Sequence, residues 1–368
     1  MMLTYSKSGV DYKLLDPAKR LGQIAGLKTI NNVCDTGFRE LSKSRGETAY
    51  ILESKDCYYA FVEEGLGTKN LVADEMSKIT GKTYYDAIAM DTVAAIVNDL
   101  TAVGARPLTV LAYWGVGYSE WFSDKDRLKD LVNGWKKACD QAGATWGGGE
   151  TPSMSDVIKE GVINLAGASF GIIKPKKRLI IGDKLKAGDR IIILQSNGIH
   201  ANGLSLARKI VKYIPGGYKA RLDTGNMFGE ELLKPTIIYS KFVDKLLNNN
   251  VDIHYMVNIT GHGWRKLMRA TQQFTYIVDT APKIPELFTF IQKYSQLTLK
   301  EMYETFNMGG GFALISPQSE IRNIITSANK FKIKAYDAGY IKKGEKKVII
   351  NPYKIILEGK SLEVKMKV

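Results

Sequence analysis

Four carboxylates, Glu64, Asp91, Asp99 and Glu150, stand beside glycine-rich turns or at the ends of expected elements, and the amide Asn98 precedes the third of them. Hard oxygen ligands of this kind suit magnesium, which binds polyphosphate through one or two carboxylates while keeping several waters. Asp91 and Asp99 are eight residues apart, close to two helical turns, so both can lie along roughly one helix face. Directly after Glu64 runs Gly65-Leu66-Gly67-Thr68-Lys69. Glycines there let backbone amides approach phosphate oxygens, the threonine adds a donor and the lysine a positive charge. A plain turn with a solvated lysine accounts for the same residues, and each acid taken alone also reads as a helix cap or a solvated charge. The chain has no GxxxxGK[ST], no GxGxxG and no HExxH, so any nucleotide site must use a different loop. His200 and His262 sit in glycine-containing loops, where histidine can move protons near neutral pH. His254 lies in a more apolar stretch and reads as a packing residue.

The elements that must position these groups alternate between strand and helix. A β-favouring run, Tyr58 to Val62, leads into Glu64 and the glycine loop. A helix is expected over Asp86 to Val103, stopped by Gly104 and Pro107, and a strand over Leu108 to Trp114. Leu128, Leu131, Val132, Trp135, Ala138 and Cys139 recur at helical spacing before Gly143, and a strand then enters Gly147-Gly148-Gly149-Glu150-Thr151. Val162 to Ile173 reads as a buried strand, and the charged stretch 174–178 marks a boundary between domains. The second half opens with a turn and strand to Leu194, a polar loop from Ser196 to Gly203 containing His200 and Asn202, and an amphipathic helix from Leu204 to Ile214. A strand, loop and helix in this order leave backbone N–H groups at the helix start where an anion can sit.

Composition bounds the rest. With 368 residues, two domains are expected. Apolar residues make up 45% and charged ones 24%, ordinary values for a soluble globular protein, and no segment has the ~18 uninterrupted apolar residues of a membrane span. The opening MMLTYSKSGVDYK lacks the features of a secretory signal, which points to the cytoplasm. Cys34, Cys57 and Cys139 are widely spaced without a CxxC pair, so neither a disulfide framework nor a zinc site is indicated. The net charge of +14 attracts nucleic acid and small phosphorylated substrates alike. The basic residues are dispersed and not interleaved with stacking aromatics, which argues against nucleic-acid binding as the main role.

Taken in order, several segments resemble the phosphoribosylformylglycinamidine cyclo-ligase (aminoimidazole ribonucleotide synthetase) family. Thr4 to Asp11 is similar to the family's SYxxAGVD, and Glu64 to Lys69 to DGVGTK. Asp91 to Pro107 resembles DxVAMxVNDxxxxGAxP, and GGGETPSM resembles GGETAEMP. In the second half, SNGIHANGLSLARKIV resembles SSGxHSNGxSLxRKxx, LLKPTIIYSK resembles LLxPTxIYVK, NITGHGW resembles HITGGGx, and ETFNMGGGFAL resembles xTFNMGxGMxL. The resemblance implies an α/β (α+β) PurM-like fold. An N-terminal ATP-binding domain, residues 1–174, would pair its strands across a homodimer, and a C-terminal α/β domain, 180–368, would close a cleft over the site. It further implies ATP-dependent closure of the imidazole of aminoimidazole ribonucleotide from formylglycinamidine ribonucleotide, releasing ADP and phosphate. An amide oxygen leaves poorly, so phosphorylating it lets the substrate's own nitrogen displace phosphate, and the closure is intramolecular.

On that basis Glu64, Asp91 and Asp99 would hold Mg2+ with Asn98 assisting, and Lys7, Gly65, Gly67, Thr68 and Lys69 would cradle the ATP phosphates. Gly148, Gly149, Glu150 and Thr151 would bind nucleotide or substrate nearby. His200 and Asn202, with Thr260, Gly261, His262 and Gly263, would complete the side facing the phosphorylated substrate. Three positions depart from the pattern: Glu64 replaces aspartate, Asn258 replaces the histidine before ITG, and His262 replaces the middle glycine of GGG. Other ATP-using relatives, thiamine-monophosphate kinase foremost, and a basic RNA-binding or regulatory paralogue are the alternatives. The kinase lacks the TFNMG-like and LLKPT-like matches.

Overall fold

A computed structural model describes residues 12–359; Lys7 and the Thr4 to Asp11 segment lie outside them. The chain builds two sheets in succession. The first contains β1 (Arg39–Glu40), β2 (Tyr50–Glu53), β3 (Tyr58–Gly65), β4 (Arg106–Val116), β5 (Thr145–Glu150) and β6 (Ile163–Ile173), in the order β1-β2-β3-β6-β4-β5. Only the β4–β5 pair is parallel. Alternation along β6 buries Ile163, Leu165, Gly167, Ser169, Gly171 and Ile173 on one face, as expected for a sheet covered on one side.

Helix α3 (Tyr85–Ala102) covers that face, with α4 (Lys125–Ala142) packed against it. Residues of α3 are buried almost all round, from Tyr85 and Ile88 to Thr101 and Ala102, which marks a helix enclosed on every side rather than one lying on a surface. Its close approach to α4 depends on Gly134, where an added Cβ would stand 2.4 Å from the Asp86 carbonyl oxygen. The acids of α3 are therefore set on a rigid, central element.

The opposite face of this sheet is apolar and, among the described residues, partly exposed. Tyr59 stacks on Phe170 with centroids 5.4 Å apart, and Phe61 lies 5.3 Å from the same ring. Phe61 and Leu111 are 39% and 44% exposed.

The second sheet comprises β7 (Arg190–Gln195), β8 (Tyr255–Asn258), β9 (Phe274–Val278), β10 (Gly310–Ser316), β11 (Ala335–Lys343), β12 (Lys347–Ile350) and β13 (Ile355–Glu358), in the order β13-β12-β9-β11-β7-β10-β8. Ile191 to Leu194 of β7 and every residue of β10 are buried. No helix among the described residues is long and apolar enough to cross a membrane.

Candidate active site

Residues Asp91, Asn98 and Asp99 of α3 all face the second domain, but they serve different ends. Asp91 is fully buried and pairs with Lys69, also fully buried, at 2.6 Å. Lys69 Nζ donates further to the carbonyls of His200 and Lys234, both at 2.9 Å. Asp91 Oδ1 accepts the Thr236 amide at 2.9 Å and the Thr236 hydroxyl. Burial pushes Asp91 up and Lys69 down in pKa, and each is the main counterweight to the other's shift. Asn98 uses both ends of its amide on the second domain, donating to the Ile237 carbonyl at 2.8 Å and accepting the Tyr239 N–H at 2.9 Å.

In this arrangement Asp91 and Lys69, expected at the metal and the phosphates, pair with each other, while Glu64 and Asp99 are not engaged with them. The reason is the turn at Gly67, with φ 78°, followed at Asn70 by helix α2 (Asn70–Thr80). It directs Lys69 into the interior, while Glu64, earlier in the same segment, stays open to solvent. Among the described residues no group of three His, Cys, Asp or Glu is arranged to hold a metal.

Two acids remain at the mouth. Asp99 is 6% exposed, and its Oδ1 accepts Asn258 Nδ2 at 2.6 Å. The Thr48 hydroxyl donates to its backbone carbonyl at 2.8 Å. Glu64 lies in a concave setting where surrounding protein, and next the negative charge of Asp99, push its pKa up to about 7. Two carboxylates that repel each other in this way suit a shared cation. Four residues after Glu64 the Thr68 hydroxyl oxygen is buried with no hydrogen-bond partner, a cost that a bound ligand oxygen would remove.

The row across the first sheet runs Gly65↔Ala166, Ala166↔Tyr113, Tyr113↔Glu150. Glu150 is thus about 14 Å from the Gly65 backbone, three strand spacings away, at the same end of the sheet. Gly148, Gly149, Glu150 and Thr151 are exposed there, within the span of an elongated ligand.

Both loop histidines, expected to move protons, are enclosed by protein, which disfavours their charged form. His200 is 2% exposed and its Nε2 accepts the Asn197 N–H at 3.1 Å, so the ring is neutral with its proton on Nδ1. Burial, and next the charge of Lys69, pull its pKa down to about 3. His262 is likewise pulled down to about 3 by burial and the nearby Arg265 and Lys266. His254, expected as a packing residue, is buried with its ring nitrogens on Asp189 at 2.7 Å and Asp252 at 3.1 Å. Asn202, Thr260 and Gly261 are partly exposed and Gly263 is buried; Thr260 Oγ1 accepts Lys266 Nζ.

Sequence reasoning did not single out Thr236, Lys234 or Lys266. Thr236 was present within the LLKPTIIYSK match, whereas Lys266 follows the NITGHGW match and had no signal of its own. A cavity of about 590 Å³ lined by Asp74, Tyr85, Arg127, Arg208 and Tyr218 also lies between the domains. It is at the far end of α3, roughly 21 Å along the helix from Asp99.

Both halves match known family models: "AIR synthase related protein, N-terminal domain" over residues 46–173 and "AIR synthase related protein, C-terminal domain" over 186–351. A curated phosphoribosylformylglycinamidine cyclo-ligase of Carboxydothermus hydrogenoformans is 38% identical, with 95% of this chain and 99% of that protein covered. The chain belongs to the phosphoribosylformylglycinamidine cyclo-ligase family. A second cyclo-ligase, of Pyrococcus horikoshii, is 35% identical over 97% of this chain and 100% of its own length. Among solved structures, "AaThiL complexed with AMPPCP and TMP" superposes with a TM-score of 0.59 at 15% identity, covering 92% of this chain and 96% of that one. The fold is thus PurM-like in both domains, shared between cyclo-ligases and a more distant nucleotide-binding relative.

Proposed function

We propose that the protein closes the imidazole ring of aminoimidazole ribonucleotide from formylglycinamidine ribonucleotide, converting ATP to ADP and phosphate. The observation that carries this reading is the meeting of Asp99 from the first domain with the Asn258 loop of the second, in a chain that matches cyclo-ligases across both domains. The AMPPCP of the structural neighbour supports a triphosphate as the second substrate.

Glu64 and Asp99 would hold the Mg2+ that accompanies ATP, and that ion would neutralise polyphosphate charge. Gly65, Gly67 and Thr68 would face the phosphates, the Thr68 hydroxyl gaining the partner it lacks. Gly148 to Thr151 would contact the far part of the nucleotide or substrate. Asn202, Thr260, Gly261 and Gly263 would orient the ribonucleotide so that its own nitrogen faces the phosphorylated amide carbon; alignment, rather than a strong base, then promotes closure. Incubation of the protein with formylglycinamidine ribonucleotide, ATP and magnesium is expected to yield aminoimidazole ribonucleotide with one phosphate per ring closed. ATP turnover without the aminoimidazole would overturn the reading in favour of another reaction of this fold.

The face of the first sheet that is exposed among the described residues would be closed by a second copy of the chain. Aromatic and aliphatic side chains on paired strands make a patch suited to a self-complementary contact. Leu111→Asp would place a charge at its centre and is expected to convert a dimer into a monomer in light scattering; a wild-type protein that is already monomeric refutes this arrangement.

A further inference from the structure

Lys266 lies in the short 3-10 turn Gly263–Met268, entered through two left-handed residues, His262 at φ 70° and Gly263 at φ 54°. At Gly263 contact demands glycine, because a Cβ would stand 2.2 Å from the Tyr303 carbonyl oxygen. The chain doubles back there, and Lys266 Nζ donates to the Thr260 hydroxyl, two residues beyond the Asn258 that holds Asp99. Burial pulls the ammonium down to about 8; Asp99 opposes that most, Glu64 also opposes it, and Arg269 and Lys19 add to it. The Thr260 contact and the Asn258–Asp99 bond set Lys266 in the second-domain loop that closes against Asp99.

Other cations near the pair are used elsewhere. Arg269 donates to the carbonyls of Gly46 and Glu47 at 3.0 and 3.2 Å, and Arg265 to those of His262 and Glu304 at 3.3 and 3.2 Å. An ammonium has three N–H donors. Thr260 takes one, and among the described residues no ion pair joins Lys266 to either acid. A half-buried cation held by one hydroxyl, with donors to spare in the loop that bonds Asp99, is suited to receive an anion.

We propose that Lys266 binds the γ-phosphoryl group of ATP and neutralises it during transfer. This rests on the cyclo-ligase reading. In the transfer, the bond from phosphorus to the ADP oxygen breaks as a bond from the substrate's amide oxygen forms. The substrate nitrogen then adds to the amide carbon, the C–O bond breaks, phosphate leaves and the nitrogen loses its proton to solvent. Lys266 makes and breaks no bond; it meets charge on the equatorial phosphoryl oxygens from the side opposite Glu64 and Asp99. Because the lysine and the acids belong to different domains, the site is electrostatically complete only with the two halves together.

Calorimetric titration of ATP and of ADP, each with magnesium, tests this directly. In Lys266→Met the preference for ATP over ADP is expected to fall about tenfold while ADP affinity stays within about twofold of wild type. The kcat should drop roughly 100-fold with the ribonucleotide KM little changed, and Lys266→Arg should restore part of both. A purely structural lysine would weaken both nucleotides alike. An unchanged ATP-to-ADP preference in Lys266→Met overturns the proposal, and should the methionine variant fail to fold, Lys266→Gln decides by the same ratio. Wild-type protein that forms no aminoimidazole ribonucleotide overturns the cyclo-ligase reading alone, since the nucleotide preference still reports on the lysine.

Discussion

Replacing Asp99 by asparagine is expected to lower kcat by roughly 10² to 10³-fold while leaving the fold intact. The side chain is isosteric, and its Oδ1 can still accept Asn258 Nδ2 in the position where the carboxylate does so at 2.6 Å. The Thr48 hydroxyl bonds the backbone of residue 99, not its side chain, so that contact persists as well. What disappears is one of the two negative charges at the mouth of the site, and with it half of the carboxylate pair proposed for magnesium. Melting temperature within a few degrees of wild type, together with collapsed turnover at saturating magnesium, is the expected pattern. Wild-type kcat in Asp99→Asn would remove this residue from the site and leave Glu64 without its partner.

Much of the scaffold was legible because local patterns agreed with it. The helix expected over Asp86 to Val103 forms over Tyr85–Ala102, and the strand expected from Leu108 extends over Arg106–Val116. The glycine run before Glu150, expected as the exit from a strand, is itself part of the edge strand β5, since residues without side chains fit where a Cβ on Gly149 would lie 2.0 Å from the Ala112 carbonyl oxygen. The helix expected to reach Ile214 stops as an α-helix at Ile210 and tightens into a 3-10 turn over Val211–Tyr213; Pro215 follows shortly after and cannot extend it. In the site, the eight-residue spacing of Asp91 and Asp99 correctly placed both on one helix. Which of them would pair with a buried lysine was not readable, because the answer depends on Lys69 and on carbonyls 131 and 165 residues further along the chain. The same holds for His200: its loop looked open to substrate, and only the packed domain shows its ring taken by the Asn197 amide.

Asp91→Asn is expected to act on stability where Asp99→Asn acts on turnover. Asparagine would leave the Lys69 ammonium fully buried with two carbonyl partners and no counter-charge. Breaking a buried pair by removing one member costs about 3–5 kcal/mol, much of it the penalty of the stranded charge. The pair also joins the domains, since Lys69 bonds the His200 and Lys234 carbonyls and Asp91 takes the Thr236 amide and hydroxyl, so the first loss should fall on the contact between the halves. A fall in melting temperature of about 5 °C follows for a chain of this size. Joint replacement, Lys69→Met with Asp91→Leu, removes both charges and should recover most of that loss, because a buried ion pair seldom outdoes apolar packing of similar volume. Thermal unfolding of the three proteins separates the possibilities. An Asp91→Asn protein as stable as wild type but unable to turn over would mean that the pair opens during catalysis and returns Asp91 to the reacting phosphate.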